Sequence, residues 1–174
     1  LFGGAVAMLP AFADQVLHVG AEGLGALRAA PALGAIVTAL LFALRPMKII
    51  SARRLLFVVA GFGLCMIGFG LSQYFWLSMF FLALSGAFDS VSMIIRGTLM
   101  QLLTPEAMRG RVSSVNAMFI VSSNEIGAFE SGTAARLMGL VPSVVFGGII
   151  TLGVVAGGAL SKNFRAMKVN PDEV

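Results

Sequence analysis

From Leu55 to Ser72, and again from Pro142 to Leu160, the chain runs without one charged residue. Runs of that length match the roughly 20 residues of helix needed to cross the hydrocarbon core of a bilayer. Three more runs are comparable: Leu24 to Leu44, Trp76 to Leu103 and Val112 to Met138. A sixth, Leu1 to Ala13, is too short to cross. It has neither a charged leading segment nor a small-residue cleavage site, so it reads as a helix cut in its middle rather than a signal peptide. Only 11% of the residues are charged, against about 25% in soluble domains. Lipid must therefore replace water around much of the molecule. A β-barrel would show short alternating strands, and these runs are too long and continuous for one. The expected fold is an all-α membrane protein, a six-helix bundle over residues 1–174 whose first helix is truncated.

The basic residues give a direction. Arg45, Lys48, Arg53 and Arg54 lie between the second and third runs, and Arg109 and Arg111 between the fourth and fifth. Lys162, Arg165 and Lys168 follow the sixth, in a polar tail that ends with Asn170, Pro171, Asp172 and Glu173. The alternate loops, 14–23, 73–75 and 139–141, hold no Lys or Arg. The positive-inside rule then puts the basic loops and the tail, 161–174, in the cytoplasm of an inner-membrane protein. Tyr74 and Trp76 fall at the outer boundary, where amphipathic rings settle. The net charge of +4 is thus explained by topology, and no stripe of basic and aromatic residues suggests a nucleic-acid partner.

Ionisable groups inside a span are costly and mark cavities or partners. They are unevenly spread. The third and sixth runs have none, and so are expected at the periphery. The fourth carries Ser85, Asp89, Ser92 and Arg96 at a spacing that follows one side of a helix. A water-lined path is one reading of that stripe and a buried Asp89–Arg96 pair the other. The fifth run places Asn116, Ser123, Gly127 and Glu130 on one side, with Ser122, Glu125 and Arg136 nearly opposite. Arg28, Glu125 and Arg136 are candidates for structural ion pairs. Small residues recur every four positions in Ala26, Ala30, Gly34 and Thr38, and again in Gly127, Ser131, Ala135 and Gly139, a pattern that suits close helix packing. Pro31 is expected to kink or break its helix. No metal-ligand spacing surrounds His18, no phosphate loop or nucleophile elbow occurs, and neither a cofactor nor enzymatic activity is expected. The single Cys65 can form no intrachain disulfide.

The stretch Thr104-Pro105-Glu106-Ala107-Met108-Arg109-Gly110-Arg111-Val112 resembles a cytoplasmic loop and helix start of the major facilitator superfamily. Gly127 and Gly132 follow at depth, as in that family. The run Ser123–Gly132 is similar to a bacterial exporter subgroup of it, that of the enterobactin exporter. The resemblance covers essentially the whole chain as helices seven to twelve, the C-terminal half of a twelve-helix fold. It implies that the N-terminal half is missing, that the third and sixth runs are peripheral, and that the fourth lines the central cavity. It carries the loop motif onto Pro105, Arg109, Gly110 and Arg111. The expected function is secondary transport by alternating access, with export of a small, partly hydrophobic compound driven by protons. Asp89, Arg96, Glu130, Ser85, Ser92 and Asn116 are the candidates for pathway or coupling. A membrane-embedded scaffold or assembly subunit without transport is the alternative.

Overall fold

The computed structural model describes residues 2–44, 50–160 and 168–169. Six helices follow one another: α1 (Phe2–Gln15), α2 (Ala21–Leu44), α3 (Ala52–Leu71), α4 (Phe75–Leu103), α5 (Arg109–Met138) and α6 (Leu140–Leu160). The fold is the expected all-α six-helix bundle. Arg45, Lys48, Lys162, Arg165 and residues 170–174 lie outside the described residues.

Four of the helices, α2, α3, α4 and α6, are long and apolar enough to cross a membrane. The helix α1, with 14 residues, reaches only roughly 21 Å. The helix α5 has 30 residues but not the composition. Length alone suggested a fifth span; its polar residues set α5 apart from helices that can face lipid all round.

The helices close into a ring in the order α1, α2, α4, α3, α6, α5 and back to α1. The contact of α2 with α4 is matched by that of α5 with α1, and α3 packs on α6 between the two pairs. Glycines set the closest approaches. On α2, a Cβ at Gly34 would collide with the Ala83 carbonyl of α4; on α4, a Cβ at Gly86 would collide with the backbone of Pro31. Ala30 and Thr38 are buried in the same seam, as the small-residue spacing of α2 suggested. Pro31 does not break α2, which runs uninterrupted through it. Its backbone lies against Gly86, and Thr38 Oγ1 donates to the Gly34 carbonyl at 2.9 Å, adding a local bond within the helix.

The helix α3 meets α4 by a different device. The ring of Phe88 sits over Gly61 and that of Phe81 over Gly68, seven residues apart on both helices. On its other side α3 packs against α6, where Gly63 and Gly148 approach through backbone and the Thr151 side chain. Phe57, Leu64 and Leu71 form an apolar outward stripe on α3. The buried core gathers toward the end away from Arg53, Arg54, Arg109 and Arg111, with Phe12 stacked at 4.4 Å on Phe69 and Leu9, Leu27, Met66 and Leu82 around them.

Two features escape helical periodicity. Ile50–Ser51 pairs antiparallel with Lys168–Val169, tying the tail to the start of α3. Ser51 also caps α3, its side chain accepting from the Arg54 N–H. At the opposite end α5 and α6 are joined by Gly139 alone, at φ 92° and ψ 164°, a backbone region essentially restricted to glycine.

Candidate transport pathway

The polar stripe of α4 points inward. Ser85 is fully buried and its Oγ donates to the Leu82 carbonyl at 2.8 Å. Ser92 is buried, Asp89 is half-buried between them, and Arg96 is exposed. Arg96 Nε donates to the Ser92 carbonyl at 3.3 Å. Among the described residues no ion pair joins Asp89 to Arg96. The stripe expected as one continuous open face is therefore divided, because α2 and α3 close on α4 from both sides. Its serines are packed, its acid is partly covered, and only its arginine opens outward.

Sequence spacing missed the continuation of this stripe. Ser78 lies seven residues before Ser85, is fully buried, and has no hydrogen-bond partner for its hydroxyl among the described residues. A buried hydroxyl left unmatched is costly, and its heptad spacing from Ser85 was the available signal.

The helix α5 is the exposed one. Gly127 is its only buried residue, with Asn116, Ser131 and Ala135 half-buried on the same side. That side faces α1, whose Met8 approaches Gly132. Ser122, Ser123, Glu125, Glu130 and Arg136 are all exposed. Glu130 and Ser123 thus join Glu125 outside instead of sharing the side of Asn116 and Gly127. The small-residue ridge fixes this, since it centres the contact on Gly127 and Ser131 and leaves Glu130 beyond the edge. Arg28 on α2 is exposed as well. Arg28, Glu125 and Arg136 make no ion pair among the described residues.

The candidates do not form one cluster. The helices α4 and α5 are not packed against each other. At 1.5 Å per residue, Asp89 lies roughly 21 Å from the start of α4, near its middle. Glu130 lies roughly 12 Å from the end of α5 near Gly139, while Asn116 lies about 10 Å from its other end. They spread along the depth of the bundle.

The loop motif is a local clamp. Pro105 precedes a 3-10 turn, Glu106–Met108, and α5 begins at Arg109. Arg109 Nε donates to the Thr104 carbonyl at 3.3 Å, and its Nη1 lies 3.5 Å from Glu106 Oε1. Gly110 and Arg111 are exposed, with open space around Gly110. An exposed pair of this kind contributes about 0–1 kcal/mol, so the clamp shapes the turn more than it stabilises the fold. His18 is exposed, at φ 50°. Among the described residues no group of three His, Cys, Asp or Glu side chains gathers where a metal could be held.

Residues 2–173 match the family model described as transmembrane secretion effector. The chain belongs to the transmembrane secretion effector family. Its match to the enterobactin exporter EntS of Citrobacter koseri is 33% identical over 143 residues, 82% of this chain and 34% of that protein. EntS proteins of Escherichia coli O1:K1 and O127:H6 are each 31% identical over 150 residues, 85% of this chain and 36% of theirs. The chain spans about a third of the length of the curated relatives it matches. No solved structure matches it. The chain is thus a multi-pass membrane protein of the major facilitator type, similar to exporters over its matched length, and among the described residues the polar side of α5 is its least covered helix face.

Proposed function

We propose that this chain is one half of a proton-coupled exporter that works by alternating access. The observation that carries the reading is α5, a 30-residue helix with one buried residue, whose exposed surface carries Glu125, Glu130 and Arg136. Each charge placed centrally against lipid costs roughly 2.5–3.5 kcal/mol on insertion scales. Such a surface needs a protein partner or water. A second six-helix bundle, the N-terminal half of the same protein, supplies both when a cavity forms between the two. In this reading Asp89 takes up and releases the coupling proton, and Glu130 faces the route. The cargo is a small, partly hydrophobic molecule, in keeping with exporters as relatives.

Reconstitution tests the two-bundle requirement. In proteoliposomes with an imposed proton gradient, the chain alone should give no flux above protein-free vesicles, and the chain combined with its N-terminal half should give gradient-dependent flux. Flux from the chain alone would remove the need for a second bundle.

The reading also places the basic end, with Arg53, Arg54, Arg109 and Arg111, in the cytoplasm of the inner membrane. In intact cells, with Cys65 replaced by Ser, a single cysteine at Gln73 should react with an impermeant thiol reagent. Cysteines at Ser51 and Ala107 should react only after lysis. Labelling at position 51 from outside would reverse the orientation.

A further inference from the structure

The ring-over-glycine packing of α3 on α4 stops one heptad short of the basic end. Phe81 covers Gly68 and Phe88 covers Gly61. Seven residues further along each helix the pair would be Arg54 and Ile95, an arginine where the pattern calls for glycine and an aliphatic chain where it calls for a ring. The seam opens there into a groove of about 280 Å³ lined by Arg53, Arg54, Phe57, Val58, Val91 and Ile95. Its floor is apolar, with Ile95 fully buried and Val58 nearly so, and Phe57 stands exposed as one wall. Its mouth is cationic. Arg53 and Arg54 are both exposed, and they sit in the first turn of α3, where the helix dipole adds positive potential.

We propose that this groove binds an anionic phospholipid, with one acyl chain along Val91 and Ile95 and the phosphate at Arg53 and Arg54. An apolar trough would take a tail from any lipid. The Arg53 guanidinium, which presents paired donors to phosphate oxygens, together with the positive charge of Arg54 and the helix terminus behind them, selects a headgroup with net negative charge. A basic pocket between helices at the membrane surface is the kind of site that anionic headgroups occupy. The proposal does not depend on the direction of transport or on Asp89.

The test uses the protein reconstituted in liposomes, with Trp76→Phe to silence the native indole at the far end and Phe57→Trp as a reporter beside the groove. Quenching by acyl-brominated phosphatidylglycerol should show an apparent affinity roughly 25-fold above that for acyl-brominated phosphatidylcholine, about five-fold for each arginine. Arg53→Gln should lower the preference roughly five-fold, the strength of one basic side chain at an anionic surface, and Arg53→Gln with Arg54→Gln should abolish it. Retained burial of Cys65 against a thiol dye shows that each variant is folded, and the single Arg53→Gln decides the matter if the double variant is not. Equal quenching by the two lipids, or an unchanged preference in Arg53→Gln, would overturn the proposal. So would competition by soluble glycerol phosphate at matched concentration, because it would show a headgroup site that makes no use of the groove.

Discussion

Asp89→Asn is expected to bring gradient-driven flux of the complete exporter down to that of protein-free vesicles, with membrane insertion unchanged. Asp89 is the one acid on the inward stripe of α4. It sits half-buried between two buried serines and has no ion-pair partner among the described residues. A carboxyl group in that position is free to exchange a proton whenever water reaches it, and asparagine keeps the shape but cannot. Glu130→Gln should impair transport in the same assay, while Glu125→Gln should leave the pH profile as it was. Both glutamates are exposed on α5, which separates them less than helix periodicity implied. Asp89 therefore carries the weight of the test. Normal, pH-dependent flux in Asp89→Asn and Glu130→Gln together would end the coupling role and leave these residues as structural polar groups.

A large loss of stability is expected from Gly86→Leu. A side chain there meets the backbone of Pro31 in α2, and backbone cannot swing aside as a rotamer can. Overpacking typically costs about 1–3 kcal/mol and occasionally more, and this site belongs at the upper end. For a domain of this size about 3 kcal/mol corresponds to a fall of roughly 6–12 °C in Tm. Gly153→Leu is the matched control, since nothing lies within 4 Å of a Cβ at Gly153. Cys65, the single cysteine and a buried one, reports unfolding to a thiol-reactive dye during a thermal ramp in detergent. An unchanged midpoint for Gly86→Leu would show that α2 and α4 do not pack as described.

Much of this fold could be read from apolar run lengths, because a helix in lipid must satisfy its backbone internally and apolar length then sets helix length. The run Trp76–Leu103 became α4 from Phe75 to Leu103, and Val112–Met138 became α5 from Arg109 to Met138. What periodicity could not supply was the neighbour on each side. It placed Ser85 and Ser92 on one line with Asp89 but could not show that α2 and α3 bury the serines. It set Glu130 beside Gly127, although the contact that buries Gly127 ends before Glu130. The small residues of α2 are legible as a packing ridge, but their partner Gly86 is not, since one glycine carries no period. The pairing of Ser51 with Lys168 was hidden for another reason: it joins two short polar segments more than a hundred residues apart, and two residues are too few to show alternation.

The single-residue join at Gly139 has a mechanical consequence. Two long helices meeting at one backbone joint behave as a pair of arms with a shared pivot, and Gly139 allows angles there that other residues resist. Any change in the angle between α5 and α6 leaves their pivot ends nearly still and sweeps Arg109 and Leu160 through the widest arc. A turn of 10° over the roughly 45 Å of α5 moves its far end by about 8 Å. That far end carries the Thr104–Arg109 clamp, so a small rotation at one face of the membrane becomes a large displacement at the other.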